Sequence, residues 1–281
     1  MSKKKNQEPE YVLSRINNPM LNYRRYVPTS AEKVLFIAAA FLGGGAVSLI
    51  FFAGQFKVDG VATTATYISN VVIFTIVGLI AAKFLYPSFI EAKKEKRNIK
   101  LRDQFRDLLE ALSASFSAGV NASEAFQSAY QDMAQQHGDD SFIALELKEI
   151  LNGQKQNISI SEMLADFAER SGNDDIQNFA DVYSIAIEKG SDLKTVIRRT
   201  HMIISSRIAA NDEIETKLAS NKLQHRVMSI MPIGIVAILR FTNESFANSF
   251  VTPLGIIVNI IAIAAFIGSY RLGQKICNSV K

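Results

Sequence analysis

The residue types able to do chemistry are few in this chain and stand far apart. Its three histidines, His137, His201 and His225, have no cysteine or carboxylate at ligand spacing, so a metal centre is not expected. The single cysteine, Cys277, lies four residues from the end with no histidine nearby to activate it as a nucleophile. One cysteine also excludes an intramolecular disulfide and fits a cytosolic position for its end of the chain. The glycines at 43–45 lack the Lys-Ser/Thr that a phosphate-binding loop requires, and they sit inside apolar sequence. Two stretches pair carboxylates, "GDDS" at 138–141 and "GNDD" at 172–175. Paired acids can bind a cation or move protons. Both pairs precede helical patterns, however, where acids favour the positive end of the helix, and capping is the role expected of them. Charges in the apolar stretches are limited to Lys83 and Arg240 near their ends, which marks no transport path. No catalytic, cofactor-binding or metal-binding residue is expected, and the chain reads as neither an enzyme nor a transporter.

The elements that carry these residues begin with four apolar stretches. Residues 34–53 are 20 uncharged positions, enough to cross a bilayer core of roughly 30 Å as a helix. A second uncharged stretch runs from Gly60 to Ala82, and two more occupy 227–239 and 253–270. A cleaved signal peptide does not fit the first, whose apolar run opens only at Val34 behind a long basic lead. Lys3, Lys4, Lys5, Arg15, Arg24 and Arg25 precede the first stretch, and "KKEKRNIKLR" (93–102) follows the second. The positive-inside rule therefore puts the N-terminus and the middle of the chain in the cytoplasm. The third stretch has only 13 uncharged residues before Arg240, but parity requires it to cross: otherwise Arg271, Lys275 and Lys281 would lie outside. Four spans with both termini inside are expected, with Arg240 snorkelling to the outer headgroups or, alternatively, serving as a functional intramembrane charge. Ala40, Gly44 and Ser48 form a small face on the first span at spacing four, of the kind that lets helices approach closely in lipid.

Every periodic segment between the second and third stretches reads as helix. Phe105, Leu108, Leu109, Leu112 and Phe116 follow spacings of 3, 4 and 7, and Ile176, Phe179, Tyr183 and Ile187 repeat the pattern 71 residues on. Asn121 with Glu124, Ser159 with Glu162 and Thr29 with Glu32 mark helix starts. Gly119 and Gly190 sit just past helix ends, where a left-handed conformation favours glycine, and are expected to be structural turns. The predicted helices lie near 88–118, 122–136, 141–152, 159–171, 174–189 and 192–240, and no stretch alternates long enough to suggest a strand. From Leu193 to Met231 there is neither Pro nor Gly, 39 residues or about 58 Å of continuous helix that would carry a push to the third span. Independent motion of spin labels near 190 and 226 would disprove such coupling.

Charge bears on partners. From Asp107 to Asn221 there are 19 acidic and 9 basic residues, a net −10, which repels nucleic-acid phosphates. An acidic surface of this kind is either plainly solvated or a docking face. The basic residues gather at the membrane edge, where anionic lipids attract them.

The order of "FRDLLEALSASFSAGVNASEAFQSA", "ISISEMLADFAERSGNDDIQNFADVYSIAIEKGSDLKTVIRRT", a long basic helix entering a span, and "FANSFVTPLG" before a last span resembles the type II secretion system F-domain family over roughly 100–273. Two leading and two trailing spans around one F domain are similar to the Tad-type pilus platform proteins. Residues 1–30 match nothing in that pattern, and Arg240 stands where the family has apolar residues. The resemblance implies an all-α fold: a multi-pass membrane protein with four transmembrane helices and a cytoplasmic F-type helical bundle. It divides the chain into a cytoplasmic N-terminal segment (1–30), spans one and two (31–87), the F-type domain (88–226), spans three and four (227–273) and a cytoplasmic tail (274–281). It implies a non-catalytic platform in the cytoplasmic (inner) membrane, coupling a secretion ATPase to pilin subunits and associating with itself or a related F-domain membrane protein. Asp139 and Asp140 are the expected partner-contact residues. The same architecture also permits a membrane-anchored scaffold or sensor unrelated to secretion.

Overall fold

The computed structural model describes residues 9–56, 61–190 and 192–278. Lys3, Lys4, Lys5 and Lys281 lie outside the described residues, as do the side chains of His225, Arg271, Lys275 and Cys277. The chain is about 80% helical and forms two compact units. One gathers residues up to Val27 with Phe89–Asn211; the other gathers Pro28–Ser88 with the chain from Asp212 onward.

The first unit contains the later part of α2 (Thr64–Ser117), then α3 (Ala122–His137), α4 (Phe142–Lys155), α5 (Ile160–Ser171), α6 (Asp174–Glu188) and the start of α7 (Leu193–Thr242). Local chemistry sets the boundaries. Asn121 accepts from the Glu124 N–H at 3.0 Å, Ser141 from Ala144 at 3.3 Å and Ser159 from Glu162 at 3.2 Å. Each satisfies an orphan donor of a first turn, worth about 1 kcal/mol. Consecutive helices from α3 to α6 pack against one another. Their apolar faces close on one core that includes Phe105, Leu112, Phe126, Phe167, Phe179 and Tyr183. The register of the second hairpin fails at one place: Ile187, expected on the buried face, is 48% exposed, whereas its counterpart Phe116 is 7% exposed. α6 ends at Glu188, and in its last turn it is Ala186, 2% exposed, that turns to the buried face.

Residues 9–27 hold what the periodicity did not show. β1 (Tyr11–Leu13) and β2 (Pro19–Leu21) pair antiparallel with Tyr11 opposite Leu21 and Leu13 opposite Pro19. Three-residue strands are too short to display an alternating pattern. The hairpin is followed by Tyr23, which is 1% exposed and packs edge-on against Phe142 and Phe167, with ring centroids 5.7 and 6.4 Å away. The N-terminal segment therefore belongs to the bundle's core.

The second unit contains α1 (Ser30–Phe52), the early part of α2, the later part of α7, α8 (Glu244–Ser249) and α9 (Pro253–Asn278). Among the described residues α1 and α2 are long and apolar enough to cross a membrane; Ile230–Thr242 and Pro253–Ala265 are shorter apolar stretches. The small face of α1 meets α2. A Cβ at Gly44 would collide with Ala81, and one at Gly78 would stand 2.8 Å from the Phe41 carbonyl oxygen. Such close backbone approach is how helices associate where lipid supplies no hydrophobic drive. Arg240 reaches the end of α1. Its guanidinium donates to the carbonyl oxygens of Ile50 and Ala53 and lies over the Phe250 ring. The last carbonyls of a helix lack intrahelical donors and carry the negative end of its dipole, so a cation there is well placed.

Candidate functional site

The most concentrated polar chemistry in the helical unit is buried. Arg170 on α5 donates to Glu146 on α4 through both terminal nitrogens, at 2.8 and 2.7 Å, and through Nε to Asp166 at 2.9 Å. It also donates to the Leu21 carbonyl oxygen at 3.3 Å, while the Arg170 carbonyl accepts from the Tyr23 N–H at 3.0 Å. The Tyr23 hydroxyl donates to Glu146 at 3.1 Å. One turn further along α4, Glu149 accepts from Ser14 and, at 2.9 Å, from Asn18. Arg97 on α2 donates to the carbonyl oxygens of Asn22, Tyr23 and Arg25. Four side chains from three helices thus hold residues 14–25.

Electrostatics agrees with a structural role. Burial pushes the Tyr23 hydroxyl well above its ordinary value, and the Glu146 charge adds to this. Burial works against the Arg170 cation, but its bonds to Glu146 and the charges of Glu146 and Asp166 outweigh it and keep the guanidinium charged. Burial also lifts the Glu146 carboxyl, against the two bonds from Arg170. Four of the five guanidinium N–H groups are engaged, two with Glu146 and one each with Asp166 and the Leu21 carbonyl oxygen.

The residues singled out by sequence fall elsewhere. Gly119 and Gly190 adopt φ +83 and +62, with open space where a Cβ would stand, so backbone conformation alone selects glycine there. Asp139 and Asp140 are exposed in the turn before the α4 cap. Asp140 also borders a cleft of about 420 Å³ whose walls include Tyr11, Met20, Leu21, Phe142 and Leu145. In "GNDD", Asn173 caps α6 by accepting from Asp175 and Ile176, and Asp175 pairs with Arg207. His137 meets Asp107 at 3.0 Å. Among the described residues no group of three His, Cys, Asp or Glu could hold a metal ion. The Glu146–Arg170–Tyr23 cluster escaped the sequence reading because its members are 24 and 123 positions apart. The one local signal was Asp166 and Arg170 at helical spacing of four.

A compact helical unit, in one chain with apolar helices long enough to span a bilayer, is the architecture of a helical membrane protein. The family model described as "Type II secretion system (T2SS), protein F" matches residues 92–240, more than half of the chain, and the chain belongs to that family. No curated protein and no solved structure matches it. The match opens after the segment that carries β1, β2 and Tyr23.

Proposed function

We propose that the chain is a non-catalytic platform of a type II secretion or Tad-like pilus machine in the cytoplasmic membrane. In this reading it crosses the membrane four times with both termini inside, and its helical unit couples a secretion ATPase to pilin subunits being assembled or exported. The observation that carries the reading is the family match over 92–240, which takes in both helical hairpins and the approach to the third apolar stretch. Two further facts support it. α2 and α7 each pass from one unit to the other without a break in the helix, a connection able to transmit force. Residues 107–221 carry a net −10, which suits a basic face on a partner.

Co-purification of the full chain with the secretion ATPase tests the coupling. Reversing both Asp139 and Asp140 to lysine is expected to lower recovered ATPase severalfold, and raising salt should do the same to the unaltered chain. Recovery unchanged by either would remove these residues from the contact, and normal secretion and piliation after deletion of the gene would sink the whole reading.

Topology has its own test. In a Cys277→Ser background, Asn248→Cys in α8 is expected to react with a membrane-impermeant maleimide on intact cells, whereas Gln127→Cys in α3 reacts only after lysis. Labelling of both from outside, or protection of both, would contradict the four-span arrangement.

A further inference from the structure

Beside the polar cluster lies a second cavity that the platform reading does not use. It measures about 400 Å³ and is lined by Arg24, Lys94, Gly172, Asn173, Asp174 and Gln177. The way Arg24 reaches it is specific. The Arg24 N–H donates to the Asn22 side chain at 3.0 Å, and Arg97 holds the carbonyls on either side of it, those of Tyr23 and Arg25. The Arg24 stem then crosses Gly172, where a Cβ would stand 2.7 Å from the Arg24 Cγ. Gly172 has φ +60, so its lack of a side chain serves both the turn and the passage of Arg24. Lys94 enters the same cavity from α2. The backbone around Arg24 is fixed, while among the described residues neither the Arg24 guanidinium nor the Lys94 ammonium is in an ion pair.

We propose that this cavity binds the phosphodiester of an anionic phospholipid. The charges on its lining are two cations and one carboxylate, Asp174, leaving a net +1 that a singly charged phosphodiester neutralises. Arg24 supplies the planar fork suited to two phosphate oxygens and Lys94 a point charge, with Asn173 and Gln177 as polar wall. The source of the phosphate follows from the chain itself. Arg24 stands ten residues before Val34, where the first apolar stretch opens, and Lys94 stands twelve residues after Ala82, where the second closes. Both cations occupy the short segments that lead into apolar helices, where basic residues attract anionic headgroups. The inference rests on the membrane reading alone and is independent of any ATPase.

The full chain in neutral detergent, titrated with a fluorescent short-chain phosphatidylglycerol, tests it. Arg24→Gln with Lys94→Gln is expected to weaken binding on the order of 20-fold, about fivefold per cation. Asp174→Asn should tighten binding, a direction opposite to that of any generally damaging change. Arg15→Gln with Lys96→Gln removes the same charge outside the cavity and should change affinity by less than about twofold. Equal weakening by the two pairs, or no response to Asp174→Asn, would overturn the site. Displacement of the lipid by inorganic phosphate at equal concentration would overturn the lipid as its occupant.

Discussion

Arg170→Ala lowers the stability of the helical unit by roughly 3–5 kcal/mol, the range seen when one partner of a buried ion pair is removed. The side chains of Arg170 and Glu146 are 5% and 1% exposed, so the truncation leaves a buried carboxylate without its cation. The change strands Glu146, takes the Nε donor from Asp166 and frees the Leu21 carbonyl oxygen. Two companions separate this cause from simple loss of volume. Glu146→Gln combined with Arg170→Ala should recover part of the loss, because a neutral amide leaves no unpaired charge behind. Arg170→Lys should recover little, because an ammonium cannot serve Glu146 twice and Asp166 at once. Urea titration of the full chain in detergent, read by amide hydrogen exchange in α4 and α5, measures all three. A single mutant as stable as the parent would show that the cluster is not what closes the bundle on its N-terminal segment.

That cluster also marks where sequence reasoning stopped. The helices were legible because their signals are local: Asn121, Ser159 and Asn173 each satisfy a donor two or three residues away, and the predicted 122–136 and 174–189 differ from α3 and α6 by one residue. The corners at Gly119 and Gly190 were legible for the same reason, since positive φ is a property of single residues. The docking of residues 9–27 was not. It depends on Ser14, Asn18 and Tyr23 finding Glu149 and Glu146 more than 120 positions away, and no periodicity encodes such a meeting. The contacts of Arg240 were hidden for a related reason. Its partners are backbone carbonyls at the end of α1, which every helix of that length would offer. Ile187 shows the limit of the repeat: in the last turn of α6 the buried position is Ala186, one residue off the expected register.

Phe105→Ala costs a further roughly 3–5 kcal/mol, by loss of the buried ring and by the cavity it leaves. Phe105 is fully buried on α2, and its ring meets Phe179 of α6 edge-on at 5.6 Å. This contact links the first repeated hairpin to the second, and Phe179 continues it to Tyr183 at 6.1 Å. Phe179→Ala should cost a similar amount. The double change should cost less than the two singles together by about 0.5–1.5 kcal/mol, the worth of an edge-to-face pair beyond its area. Phe105→Leu, which keeps most of the volume, should restore the greater part of the stability but none of that coupling. The consequence for function follows from where the pair sits. Both hairpins lie inside the family match, and α2 and α7 each lead from this core into apolar helix. Loss of the Phe105–Phe179 contact should therefore reduce secretion or piliation even where membrane levels of the protein are matched. Additive single and double mutants would mean that the two hairpins are held together elsewhere, with Ile204 and Ile208 of α7 as the next residues to truncate.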